Sequence, residues 1–327
     1  MENYGSQIRF AIRQPALKAV LLAAAALGAP AAAQDYPTRP VRIITAPAGG
    51  GNDFSARLVA RGISGALGQQ VVVDNRPTVL APEIVAKSPA DGYTVLLNGS
   101  AHWIGPFVSK VSYDPVADFA PLALIDRTPV ILVVHPSLPV KSVKQMIALA
   151  KAKPGQLNVS SGAPGASNYL GGMLFNHYAK VDTVLIPYKG AAPAMTAVMS
   201  GETQLMFASP GGSMSHVRSG RLRALGVGSA QPSELAPGIP TIASSGVPGY
   251  VCETLHAMFA PAGTPATVIT RLHQAIDRFL QSAEGKSQFI KGGVEAAPST
   301  PDQLMTIMKS EMATIGKVLR AAGVKPQ

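Results

Sequence analysis

The stretch VRIITAPAGGGNDFSARL, Val41 to Leu58, decides how this chain is read. A β-branched apolar run feeds three glycines, Gly49 to Gly51. An Asn-Asp pair then opens a helical pattern that places Phe54, Leu58, Ile63 and Leu67 on one face. Asn52 or Asp53 is the expected N-cap. A strand, a glycine turn and a helix N-terminus together can hold an anion. The first-turn N–H groups lack intrahelical partners, the helix dipole favours negative charge, and glycine permits close approach. The plain alternative is a tight turn.

The same alternation runs outward. Strands are expected at 41–45, 70–74, 93–97, 130–134, 157–160, 183–186, 204–207 and 222–227, all short and almost continuously apolar. Strands buried on both faces look like this. Helices are expected at 53–67, 142–153, 167–179, 191–200, 265–281 and 301–321, the last capped by Ser299 or Thr300 with Pro301 in the first turn. Alternating strands and helices give a doubly wound α/β fold. Residues 41–97 and 157–207 repeat one order of elements without aligning residue by residue. The expected organisation is a discontinuous first domain, 34–132 with 253–327, and an inserted second domain, 133–252. The crossings are expected at 135–142 and 253–265.

The first 33 residues read as a targeting segment. Arg9, Arg13 and Lys18 precede the apolar run AVLLAAAALGAP, and three alanines precede Gln34. The run is about 12 residues, short of the roughly 20 that span a bilayer. A signal peptide cleaved after Ala33 is expected, against the alternative of a buried N-terminal helix. Its removal takes the formal net charge from +10 to +8, because it carries three bases and one acid, Glu2. That excess is spread along the chain with no basic block interleaved with aromatics, so nucleic acid is not an expected partner. A positive field favours acidic small molecules. Cys252 is the only cysteine, so no internal disulfide can form. It sits in an apolar segment as a structural thiol.

Known phosphate and catalytic patterns fail. G-x-G-x-x-G begun at Gly49 would need glycine where Phe54 stands, and the phosphate-loop pattern ending at Ser287 would need it at Leu280. Neither G-x-S-x-G nor H-E-x-x-H occurs. The six histidines, 102, 135, 177, 216, 256 and 273, show no metal-ligand spacing. No cofactor, metal or catalytic group is expected, and the histidines read as structural or solvated. Asp53 and Arg57 have the spacing of a helix-surface pair. Two Gly/Ser-rich loops facing each other would suit a carboxylate held by neutral dipoles.

A linked set of fragments adds a resemblance: YPTRPVRII, GGGNDFSARL, VVVDNRP, DGYTVLLNGS, YDPVADFAPL, AKAKPGQLNVSS, PYKGAAPAM, GRLRALGV, IPTIASSGVPGY and APAGTP, in this order from Tyr36 to about Val324. The chain resembles the periplasmic receptors of tripartite tricarboxylate transporters, the Bug family. The resemblance implies a two-lobed, type II periplasmic-binding-protein fold that closes on its ligand. It places ligand contacts at Ala46, Ala48, Gly49, Gly50, Gly51, Asn52 and Asp53, and at Asn98 and Ser100. On the other lobe it places them at Ser160, Ser161, Gly162, Gly165, Ala166 and Ser167. The turns Lys189-Gly190 and Ala208-Ser209 complete that wall.

This chain departs from the family at Ala46, usually aromatic, at Ala48, usually proline, at Thr78–Leu80, usually glycine-rich, and at Tyr169, usually histidine. A smaller residue at position 46 leaves room for a bulkier ligand unless another side chain fills the space. Trp103 either stacks on an aromatic ligand or is packing. The implied function is a monomeric periplasmic binder that delivers an organic carboxylate to membrane permease subunits. A periplasmic sensor that presents the same ligand to a signalling partner is the alternative, and an enzyme ranks third.

Overall fold

The computed structural model describes Met1 and residues 36–78, 80–162, 166–321, 323, 324 and 326. The targeting segment with its cleavage point after Ala33, Val79 and Gly165 lie outside the described residues. The chain divides into two compact units, Met1–Thr38 and Arg39–Gln327. All described helices and strands belong to the second.

That unit holds two sheets. The first contains β1 (Val41–Thr45), β2 (Val71–Asn75), β3 (Thr94–Gly99), β4 (Phe119–Pro129), β10 (Glu253–Pro261) and β11 (Glu295–Ala296), in the order β11-β4-β10-β3-β1-β2. The second contains β5 (Ile131–Val134), β6 (Asn158–Ser161), β7 (Val184–Pro187), β8 (Leu205–Ala208) and β9 (Arg223–Val227), in the order β7-β6-β8-β5-β9.

The two sheets share one plan. β1 runs parallel to β2 on one side and β3 on the other, and β6 runs parallel to β7 and β8. An antiparallel strand then adds to β3, namely β10, and to β8, namely β5. In each sheet the chain leaves a central strand for one neighbour and later returns on its other side. Such a switch point opens a crevice at the carboxyl ends of the strands, where ligands bind in α/β sheets.

Helices follow from the sequence pattern and cover the sheets. α1 (Gly51–Leu67), α2 (Leu80–Ala86) and α3 (Ala101–Ile104) belong to the first sheet. α4 (Val143–Ala152), α5 (Ser167–Ala179), α6 (Ala191–Ser200) and α7 (Pro210–Arg218) belong to the second. α8 (Ala266–Gln281), α9 (Ala283–Lys291) and α10 (Pro301–Ala321) return to the first, where α8 and α10 pack on β4. α10 starts on a reciprocal cap: Thr300 Oγ1 accepts the Gln303 N–H at 3.2 Å, and Gln303 Oε1 accepts the Thr300 N–H at 2.9 Å. Ser299 instead accepts the Leu124 N–H.

The eight strands expected from sequence all form, within one or two residues. β7 departs from the fully buried expectation, because as an edge strand it leaves Val184 and Pro187 exposed. α2 is the second helix of the strand-helix-strand-helix-strand order expected over 41–97, whereas β4, β10 and β11, and the helices α3, α7 and α9, have no counterpart in the sequence pattern. The crossings also differ. Residues 135–142 are a loop on the second-sheet side, and 253–261 are the strand β10 inside the first sheet. The chain passes between sheets at Val130 and returns at Cys252. There the Val130 N–H donates to Cys252 O at 3.2 Å, the Gly228 N–H to Val130 O at 2.7 Å, and the Cys252 N–H to Gly228 O at 2.8 Å. A Cβ at Gly228 would lie 2.7 Å from Cys252 O, so only glycine lets the three segments meet. These segments bond to one another and carry apolar residues, so no turn signal marks them. Cys252 is buried, and burial drives its thiol pKa far up, as a structural thiol requires.

Candidate functional site

The glycine loop after β1 is held by one carboxylate. The cap of α1 is Gly50, with no side-chain hydrogen bond, rather than Asn52 or Asp53. Asp53, three residues into the helix, reaches back to accept the Gly49 N–H at 3.0 Å. Its other oxygen takes the Arg57 guanidinium at 2.9 Å and the Asn75 amide at 2.9 Å. Burial alone would raise the Asp53 pKa, but the bonds from Arg57, Gly49 and Asn75 outweigh it and lower it. The Asp53–Arg57 pair is thus part of the loop's anchor and not a plain surface pair. Asn75 also donates to Ala46 O at 2.7 Å, which fixes the buried start of the loop. Gly49 takes φ +86°, a turn that a side chain would strain.

Beyond these anchors the loop is open. Ala48, Gly49, Gly50 and Gly51 are exposed. Among the described residues, no carbonyl accepts the N–H groups of Gly51, Asn52 or Asp53 outside the helix itself. The end of β3 lies beside the loop. Asn98 is buried and accepts the Gly99 N–H, while Ser100 Oγ accepts the Leu255 N–H at 3.2 Å. A Cβ at Gly99 would come within 3.5 Å of Asn52 Oδ1, a buried acceptor with no partner. The first two expected loops therefore meet.

His256 of β10 joins them. Its ring lies between the two glycine backbones: a Cβ at Gly51 would sit 3.1 Å from Cε1 and 3.3 Å from Nε2, and one at Gly99 3.3 Å from Cδ2. Nδ1 is 2.7 Å from Asp126 Oδ1 on β4. The pairing of β10 with β4 slips between His256 and Ala257, where β4 carries the extra residue Ile125. Such a bulge re-aims side chains at a sheet's functional end. Burial favours the neutral ring, but the Asp126 carboxylate outweighs it and raises the His256 pKa above the ordinary value.

In the second sheet the loop after β6, the turn after β7 and the end of β8 enclose a cavity of about 500 Å³. Gly162, Ala166, Ser167, Lys189, Gly190 and Ser209 line it, joined by Asn168, Tyr188, Ala191, Met206 and Phe207. Asn168 Oδ1 accepts the Gly162 N–H at 3.0 Å and shapes the rim. Gly190 adopts φ +116° ahead of α6. Ser161 donates to neighbouring carbonyls, and Ser160 Oγ is buried without a partner among the described residues. Ala208 is buried behind the wall and does not line the cavity.

Trp103, which sequence left open between stacking and packing, is packing. It is fully buried and donates to Glu311 Oε2 at 2.7 Å. Sequence reasoning missed His256, Asn75, Asn168 and Tyr188. Asn168 and Tyr188 adjoin expected residues and were within reach. His256 was not, because its partners Asp126, Gly51 and Gly99 lie far away in the chain.

Matching loops stand at the switch points of two like α/β sheets, the architecture of a two-lobed binding protein. The pattern of the tripartite tricarboxylate transporter family receptor matches residues 55–324, and the chain belongs to that family. Protein BugT of Bordetella pertussis is 34% identical over 313 residues, 94% of this chain and 96% of that one. Among solved structures, R. palustris Rpa4515 with adipate is 34% identical, with a TM-score of 0.71, over 89% of this chain and 100% of that one. MatC (Rpa3494) from Rhodopseudomonas palustris with bound malate is 26% identical, with a TM-score of 0.67, over 87% of this chain and 100% of that one.

Proposed function

We propose that this protein is a periplasmic receptor that captures an organic carboxylate between two lobes and hands it to the membrane subunits of a tripartite tricarboxylate-type transporter. The first lobe runs to Pro129 and resumes at Glu253, with the second inserted between. The ligand lies between the loops Ala46–Asp53 and Asn98–Ser100 on one side and Ser160–Ser167, Lys189-Gly190 and Ala208-Ser209 on the other. The protein binds without chemistry of its own.

One observation carries this reading: glycine- and serine-rich loops stand at the switch points of both sheets, and Ala48 to Gly51 of the first are exposed. The N-terminus of α1 offers unpaired N–H groups there, which suits a carboxylate. The relatives with adipate and with malate support a diacid, and an aromatic acid is the bulkier candidate that Ala46 suggests. Thermal denaturation with adipate, malate, citrate and benzoate tests it. A ligand at 100 times its Kd adds about 2.7 kcal/mol of stability. At least one of the four acids should raise the melting temperature. A panel in which none does, while neutral or cationic solutes do, would sink the reading.

A further inference from the structure

We infer that His256, as an imidazolium backed by Asp126, is the cationic contact for one ligand carboxylate and makes capture proton-linked. This rests on the carboxylate reading above. Four observations carry it. The ring is 6% exposed and packed between Gly51 and Gly99, so it has one orientation. Nδ1 is committed to Asp126, so among the described residues Nε2 has no hydrogen-bond partner, and the Cε1–Nε2 edge lies 3.1–3.3 Å from the Cβ position of Gly51, the first residue of α1, where unpaired N–H groups gather. Asp126 is fully buried, and its Oδ2 has no hydrogen-bond partner among the described residues. The bulge at His256/Ala257 sets this geometry at the end of the sheet that faces the glycine loop.

The tautomer follows. With Nδ1–H donating to Asp126, a neutral ring presents the Nε2 lone pair to the site and repels a carboxylate oxygen. The protonated ring presents an N–H and a positive charge. Protonation also gives Asp126 a counter-charge, without which a buried carboxylate stands uncompensated. Above the histidine's pKa the pair is a net anion facing an anion, so affinity falls as pH rises. The other charged groups nearby are engaged elsewhere. Asp53 on α1 is held by Gly49, Arg57 and Asn75. On β4 and β11, Arg127 and Glu295 pair with each other. Glu253, three residues before His256 on β10, faces Arg127 at 4.0 Å, and burial raises its pKa to about 7, so it is the neighbour that titrates beside the pair. Glu83 of α2 acts on Tyr113.

The test is calorimetry with adipate and malate from about pH 6.5 to about pH 9, where the ligands' own carboxylates stay ionised. Burial raises Glu253 and Glu311 to about 7, so the protons that belong to His256 are those counted above about pH 8 and lost in His256→Gln. Two buffers of different ionisation enthalpy count the protons taken up. The expected result is uptake approaching one proton per ligand at the alkaline end, with Kd rising about tenfold per pH unit there. His256→Gln should bind more weakly near pH 6.5 and show no such slope. Asp126→Asn should move the slope to lower pH, as expected of a positioning residue. The proton count on the unsubstituted protein needs no variant to fold. Tight binding with no proton uptake, or His256→Gln keeping the slope, overturns the inference and leaves the carboxylate reading standing. No binding of either acid at any pH overturns both.

Discussion

His102 and His256 are buried to almost the same depth, 1% and 6% exposed, and end in opposite states. His102 follows β3 in α3 and sits among rings. It stacks on Tyr113 at 5.1 Å and meets the edge of Phe119 at 4.5 Å, and neither ring nitrogen has a hydrogen-bond partner among the described residues. Burial pushes its pKa down to about 3, so it is a neutral part of the core. His256 has a carboxylate at 2.7 Å, and that single partner reverses the effect of burial. Depth alone silences an imidazole. Depth with a buried acid favours the charged form, and here that imidazole lies beside a helix N-terminus.

The largest expected effect removes the silent member. The folded protein keeps His102 neutral down to about pH 3, while the unfolded chain binds its proton below about pH 6.5. Between those values stability falls by about 1.4 kcal/mol for each unit the pH drops. His102→Phe abolishes that slope and replaces two unsatisfied nitrogens with carbon. Urea unfolding should find the variant ahead by about 2 kcal/mol at about pH 5, with a much smaller gap at about pH 8. Equal gaps at both values would mean that His102 finds a proton acceptor in the fold.

A middle-sized effect presses on the charged member. An added methyl at Gly51 would sit 3.1 Å from the His256 ring, which the Asp126 bond cannot let go. At Gly50 it would meet only Pro47 O at 3.8 Å. Gly51→Ala should cost about 1–2 kcal/mol, and Gly50→Ala no more than about 0.5 kcal/mol, by chemical denaturation. Equal costs would show that the ring has room to move.

The smallest effect is expected at the rim of the second sheet. Lys189 is exposed, so Lys189→Ala should change carboxylate affinity by less than about fivefold. A loss of a hundredfold in calorimetry would move the site's charge from the buried pair to the second sheet.

The legible part of the fold is the part governed by local pattern. β-branched runs such as VRIIT and LRALGV, and amphipathic runs such as 143–152, appear where periodicity puts them. β4 and β10 were missed because FAPLALIDRTP and ETLHAMFAP break the pattern with proline, charge and histidine. Those same breaks are Asp126 and His256, the residues that join the two first-sheet loops. A local rule is violated where a site needs it to be.

The sequence alone determined the alternation of strand and helix, the open glycine loops and the family, because each rests on neighbours a few residues apart. Only the tertiary structure decided which histidine is silent and which is paired. It also decided that Trp103 is core, that Asp53 anchors its loop, and that the chain crosses at Val130 and Cys252. Most of these depend on distant partners: Asp126 is 130 residues from His256, and Glu311 is 208 from Trp103. A side chain's charge and role are set by what folding brings within a few ångströms of it, and no local pattern carries that information.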